Sequence, residues 1–150
     1  MNEILIQKVN HLDTRKLLLL VEESTSEGFR HLKRLVNDYE TGVNKFDKDG
    51  EAVFIAYQNN DIVGICGLNQ DPYANSNEVG RVRRLYVSSR VRRFGIGKML
   101  MDSVIAEARK CYTMLVLKTD NPVADVFYHS IGFTVITDPK NETHYLRLNG

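Results

Sequence analysis

Arg90-Val91-Arg92-Arg93-Phe94-Gly95-Ile96-Gly97-Lys98 is the stretch from which the rest of the chain is best read. Beyond it, Ile96, Met99, Leu100, Val104 and Ala108 recur at helical spacing. Before it, Val79 to Val87 alternates Val82, Leu85 and Val87 with arginines and reads as a strand. Residues 88–95 are thus a basic, glycine-bearing loop that opens a helix. Such a loop lets backbone N–H groups close on an anion, because the first N–H groups of a helix have no partner within it. Gly95 and Gly97, lacking Cβ, permit close approach, and Arg92, Arg93 and Lys98 suit phosphate oxygens. Three phosphate patterns compete. A P-loop needs Gly at 92 and Ser or Thr at 99, where Arg92 and Met99 stand. The dinucleotide fingerprint needs Gly at 100, where Leu100 stands, and follows its strand more directly than this loop does. The third pattern, Gln/Arg-x-x-Gly-x-Gly/Ala, is met in full by Arg92 to Gly97.

Working outward, Glu3 to Val9 is strand-like. Asp13 is placed to cap a helix running through Leu17-Leu18-Leu19-Leu20-Val21, and Phe29, Leu32, Leu35, Val36 and Tyr39 mark a second helix ending at Gly42. Ala52–Tyr57 and Ile62–Leu68 are β-type runs joined by Gln58-Asn59-Asn60-Asp61, a hairpin signal. After the loop and its helix, Thr113–Thr119 reads as a strand buried on both faces and Pro122–Ile131 as a short helix. Phe133–Thr137 and His144–Leu148 are two closing strands. The order β-α-α-β-β-β-α-β-α-β-β predicts an α+β (α/β) class. Consecutive middle strands pair antiparallel, and the β-α-β unit over residues 79–119 makes a parallel crossover. The expected architecture is a mixed, mostly antiparallel sheet of about seven strands with helices on both faces.

The chain has 150 residues, which fits one domain, 1–150. Its 20 Lys+Arg against 19 Asp+Glu leave a net charge of +1, with no global field for nucleic acid or an acidic membrane. Six arginines nevertheless fall between residues 81 and 93. Met1 to Gln7 lack the basic start of a signal peptide, and runs such as Leu17–Val21 fall far short of the ~20 residues that span a bilayer. Cys66 and Cys111 are too few for a disulfide framework. A cytoplasmic protein with two reduced thiols is expected. Asp47-Lys48-Asp49-Gly50 is a turn rather than a calcium loop, whose later ligand spacing is absent, and no metal is expected.

The Arg92–Gly97 pattern resembles the pyrophosphate loop of the GCN5-related N-acetyltransferase (GNAT) superfamily. The resemblance extends upstream to Arg84-Leu85-Tyr86-Val87-Ser88, and downstream to Asn121, Ala124, Tyr128 and the Gly132-Phe133 pair. It implies a GNAT-like fold and acetyl-CoA as donor. The pyrophosphate would lie on the N–H groups of residues 93–98, held by Arg92, Arg93, Phe94, Gly95, Ile96, Gly97 and Lys98. The pantetheine arm would run along the backbone of Leu85 and Val87, with Asn121 bonded to it. The implied reaction moves an acetyl group directly to a primary amine of a small molecule or peptide. Tyr128 would be general acid to the leaving thiolate, and the Val87 N–H an oxyanion donor. Asn121, directly before Pro122, is also an ideal helix cap.

The general base is less defined. Where some GNAT enzymes carry a strand Glu, this chain has Arg81, Arg83 and Arg84, which leaves Glu78 at the strand's start as a weak candidate and Asp71 and Tyr73 as others, with a base acting through water, or none, expected. Asp71 and Tyr73, together with Glu27 and Phe29 near the first two helices, are candidate acceptor contacts. A homodimer built through the last strands fits the resemblance. The competing reading on the same fold is a non-catalytic acyl-CoA-binding module.

Overall fold

A computed structural model describes residues 3–148, and at Arg93 the backbone alone. The strands are β1 (Ile4–Val9), β2 (Ala52–Gln58), β3 (Asp61–Gln70), β4 (Val79–Val87), β5 (Met114–Leu117), β6 (Thr134–Val135) and β7 (His144–Arg147). The helices are α1 (Leu18–Ser26), α2 (His31–Thr41), α3 (Ile96–Ala108) and α4 (Pro122–Ser130). They form one seven-stranded open sheet in the order β1-β2-β3-β4-β5-β7-β6. Every neighbouring pair is antiparallel except β4 and β5, which run parallel across the α3 crossover. The expected element order and mixed sheet are therefore found.

Local sequence explains most junctions. Asn59 (φ 53°) and Asn60 (φ 77°) both adopt left-handed backbone, the pair of conformations a tight β2–β3 hairpin needs to match strand twist. Asn121 accepts the Val123 N–H at 2.9 Å with Pro122 at the first helical position, so α4 is capped as its sequence predicts. The Asp13 expectation is corrected. Its carboxylate accepts the Arg15 N–H and closes a preceding turn, while α1 begins from Leu17 with no side-chain cap. Residues 89–94 are not an open loop but a 3₁₀ turn, and Ser88 accepts the Arg90 N–H to start it. β6 shrinks to two residues.

The two faces of the sheet carry separate cores. On one face α3 and α4 bury Ile96, Leu100, Met101, Val104, Tyr128 and Phe133 against Ala52, Phe54, Val63 and Leu115. On the other, α1 and α2 bury Leu20, Leu32 and Leu35 with Phe46 against Val53, Ile55, Ile65 and Tyr86. Residues Val63 to Asn69 of β3 are all buried, because this central strand is covered on both sides.

Candidate functional site

Two irregularities of β4 shape the site. Against β3, Ile65 pairs with Tyr86 but Gly67 with Arg83, so β4 holds one extra residue between these pairs. The bulge falls at Arg84, whose φ of +62° is left-handed backbone. Against β5, only Val79, Gly80 and Arg81 pair. Beyond Arg81 the two parallel strands part, leaving the Val82–Val87 edge of β4 without a strand partner there. Ser88 N–H reaches back to Val63 of β3, so by strand alternation Val87 faces the opposite, open edge. Its carbonyl accepts Arg92 Nε at 3.0 Å on that edge, and its N–H is directed to the same side.

The glycine loop meets this opening. Gly95, at φ +73°, ends the 3₁₀ turn and starts α3, a conformation that favours glycine. Met99 N–H bonds the Gly95 carbonyl, leaving the N–H groups of Ile96, Gly97 and Lys98 without intrahelical partners, and no side chain of the cap residue covers them. A Cβ added to Gly95 would meet nothing within 4 Å; at Gly97 it would meet Phe127 at 3.4 Å and Val87 at 3.9 Å. The helix start, the end of β4 and α4 thus converge. The loop's charges are largely engaged. Lys98 pairs with Asp102, and Arg90 Nε donates to Ser88. Arg92 grips Glu27 through both guanidinium ends at 2.6 and 3.0 Å. The side chain of Arg93 lies outside the described residues. What the loop leaves unpaired is the set of backbone N–H groups of Ile96, Gly97 and Lys98 rather than the Arg92 guanidinium, and Phe94 stands exposed beside them.

Glu27 belongs to a network that ties α1 to the loop. It and Glu23, one helical turn apart, both meet the Tyr86 hydroxyl, Glu23 at 2.8 Å. Glu23 also accepts the Ser88 hydroxyl and the Ser89 N–H, each at 2.8 Å. The Arg92 hydrogen bonds, aided by Tyr86, hold the Glu27 carboxyl below its ordinary range. Burial pushes Glu23 up, but the bonds from Ser89, Tyr86 and Ser88 outweigh it and leave it lowered. Burial and the two carboxylates drive the Tyr86 phenol well up. Arg92 lies 5.4 Å over the Tyr86 ring.

Tyr128 sits on α4 on the α3 side of the sheet, packed edge-on against Phe127 and Phe133 at 5.2 and 5.5 Å between ring centres. Its residue is 7% exposed, and no described residue hydrogen-bonds its hydroxyl. Burial raises its pKa strongly, so the phenol keeps its proton at neutral pH. The buried His144 on β7 lies 6.1 Å from the Tyr128 ring and bonds Asp125 of α4 at 2.6 Å, pinning the helix in place.

The remaining candidates lie apart. Glu78 is exposed, nine residues before Val87, about 30 Å along a strand rising ~3.3 Å per residue. The fold does not bring it to the β4 opening. Asp71 is buried and bound to Arg81 Nε at 2.7 Å, and Tyr73 lies 5.1 Å from the same guanidinium. With Asn141 accepting from Arg81 as well, these residues lock loops together rather than line a slot. Phe29 does face the site from the α2 side, edge-on to Tyr86 at 6.3 Å.

Sequence reasoning missed Glu23, Tyr86 and His31. Glu23 and Glu27, spaced i and i+4 on one helix, were the available signal for the first. His31 packs 5.7 Å from Phe29 and 6.0 Å from Tyr86, with Nε2 buried and unpartnered among the described residues. Burial, then the charge of Arg84, lowers its pKa against an opposing hydrogen bond with the Leu85 backbone.

An open sheet split between β4 and β5, with a glycine turn feeding a helix at the split, defines an acyl-CoA N-acyltransferase fold. The family model of the acetyltransferase (GNAT) domain matches residues 49–135. A protein from Exiguobacterium sp. 255-15, assigned as an acetyltransferase, superposes with a TM-score of 0.87 at 30% identity, covering 97% of this chain and 93% of its own. A GNAT-family acetyltransferase from Staphylococcus aureus Mu50 gives 0.78 at 23% identity, over 98% and 100%. A Salmonella typhimurium protein assigned as an acetyltransferase, solved with acetyl-CoA, shares the fold with a TM-score of 0.68 at 17% identity, over 97% and 94%. No curated protein matches the chain. The chain belongs to the GNAT acetyltransferase family.

Proposed function

We propose that the protein transfers the acetyl group of acetyl-CoA directly to a primary amine. The observation that carries this reading is the open edge of β4, which aims the Val87 N–H into the gap beside the uncapped start of α3. The N–H groups of Ile96, Gly97 and Lys98 would hold the pyrophosphate at the positive end of the helix. Leu85 and Val87 pack into the α3-side core and would flank the pantetheine arm, with Asn121 and Tyr128 across the gap on α4. Glu27 and Arg92 act on the site indirectly, by holding the loop to α1.

In the reaction the amine nitrogen bonds the thioester carbonyl carbon and the carbon–sulfur bond breaks, the sulfur leaving with the electron pair. An alkylamine of pKa about 10.4 must first lose a proton, and no carboxylate on β4 faces the gap to take it, so the proton leaves through water. The Val87 N–H would stabilise the oxyanion that forms in between. The Tyr128 hydroxyl, protonated at neutral pH, would supply the proton to the departing sulfur.

The test is release of free thiol from acetyl-CoA across a panel of amines, with calorimetry for binding. Turnover that drops about 10²-fold or more in Tyr128→Phe, with acetyl-CoA affinity retained, supports the enzyme with Tyr128 as acid. Tight acetyl-CoA binding without turnover of any amine refutes it and leaves the non-catalytic acyl-CoA module. The absence of a β4 carboxylate is what favours that second reading.

A further inference from the structure

We propose that the acceptor is an amine carrying a carboxylate, and that Arg83 and Arg84 bind that carboxylate on the α2 side of the β4 bulge. The inference rests on the amine-acetylation reading and specifies its substrate class.

Regular alternation would send consecutive strand residues to opposite faces. The bulge removes that alternation at this one place. Arg83 is paired opposite Gly67, whose open face is filled by the Phe46 ring of the α2-side core. Arg84 reaches Asp38 of α2, at 4.0 Å. Alternation then resumes, with Leu85 and Val87 in the α3-side core and Tyr86 in the α2-side core. Two adjacent guanidinium groups therefore face α2 together, three residues before the Val87 N–H. Holding Arg84 at a left-handed φ is unfavourable for a side chain of its kind, and such strain clusters at ligand sites.

These charges are poorly matched. Asp38 is the one carboxylate in ion-pair contact with them, at the limit of that distance, and Asp71, whose charge also reaches Arg83, is already bound to Arg81. Arg83 Nε is buried with no hydrogen-bond partner among the described residues. Arg34 of α2 adds further positive charge next to Arg84 and His31. Burial lowers both arginine pKa values, helped by the charge of Arg81 at Arg83 and by the charges of Arg83 and Arg34 at Arg84. Arg81 differs, since Asp71 and Asn141 satisfy it. A carboxylate offers the two planar acceptors that a guanidinium fork needs, and would satisfy the buried donor. The pyrophosphate cannot serve here, because its cradle lies beyond Val87, at the start of α3.

The test uses matched acceptors: L-glutamate, its diamide, a Glu-Gly dipeptide amide and the corresponding Gln-Gly amide. The free acid against its diamide tests a single amino acid as source, and the dipeptide pair tests an acidic side chain at a peptide N-terminus. The variants are Arg84→Asn, since asparagine tolerates left-handed backbone, and Arg83→Gln. The expected result is a kcat/KM preference for the carboxylate over its amide in one pair, falling about 10- to 100-fold in either variant. Acetyl-CoA affinity and the thermal midpoint serve as fold controls. Turnover without carboxylate preference, or a preference that survives both variants, overturns the proposal and leaves amine acetylation standing. If no amine of any charge is acetylated, the underlying reading fails and the substrate class with it. Should Arg84→Asn not fold, Arg83→Gln decides the question alone.

Discussion

Removing the Glu23 carboxylate tests whether α1 anchors the glycine loop. In Glu23→Ala three hydrogen bonds disappear, but their losses are unequal. The Tyr86 hydroxyl keeps Glu27 as a partner, and Ser89 is exposed, so water can replace the lost acceptor there. Ser88 has no such recourse. It is fully buried, and its hydroxyl proton loses the acceptor that Glu23 provides. An unsatisfied buried donor costs about 1–3 kcal/mol. We therefore expect Glu23→Ala to destabilise by about 2 kcal/mol, lowering the thermal midpoint by about 4–8 °C for a chain of this size. Glu23→Gln should cost under about 1 kcal/mol, because its amide oxygen can still accept the Ser88 hydroxyl proton while its NH₂ donates to the Tyr86 oxygen, whose own proton keeps Glu27, and the exposed Ser89 N–H turns to water. The pH dependence has a definite sign. Glu23 is lowered on folding, so its contribution is present above the ordinary carboxyl value of 4.5 and is lost as pH falls through the lower folded value. The gap between wild type and Glu23→Ala should close in acid. Urea melts at pH 7 and pH 4 measure both effects, and calorimetry should show weaker acetyl-CoA binding in Glu23→Ala, whose loop start is no longer held. Equal damage from Ala and Gln, or a Glu23→Ala stability within 0.5 kcal/mol of wild type by roughly any melt, would refute the anchor.

Three further outcomes follow from the same geometry. Gly97→Asp should weaken acetyl-CoA binding by at least about 10-fold while the melting curve stays near wild type, since an acidic first turn suits the helix but repels a pyrophosphate; calorimetry with unchanged affinity would remove the loop from the donor site. Gly67→Ala should destabilise by about 1–3 kcal/mol, because its Cβ would stand 2.5 Å from the Phe46 ring, and a neutral denaturant midpoint would contradict the packing on that face. His31 is lowered by burial and by Arg84, so the unfolded chain takes up its proton first and stability should fall as pH drops below about 6.5, by at most about 1.4 kcal/mol per pH unit. His31→Gln should flatten that slope between pH 6.5 and 5.5, and an identical slope in the variant would show that the ring titrates normally.

What could be read in advance divides along a physical line. Asn59-Asn60, Asn121-Pro122 and Gly95 act through their own backbone angles or through neighbours two residues away, and each does in the fold what its local sequence predicts. Glu23 bonds Ser89, 66 positions later, and no periodicity or capping rule compares residues that far apart. The β4–β5 split and the Arg84 bulge are also invisible locally, because both are differences in register between strands. The six clustered arginines show the consequence. In sequence they form one basic run around a phosphate loop. In the folded chain strand alternation and the bulge sort the described guanidinium groups: Arg81 goes to the buried Asp71, Arg92 to Glu27 and Arg90 to Ser88. Arg83 and Arg84 are left together on the α2 face with Asp38 alone at the limit of ion-pair distance, since Asp71 is taken by Arg81. A charge run that suggested one anionic ligand thus separates into structural pairs and one undercompensated couple. It is this couple, rather than the loop arginine Arg92, that has positive charge to offer a further anion.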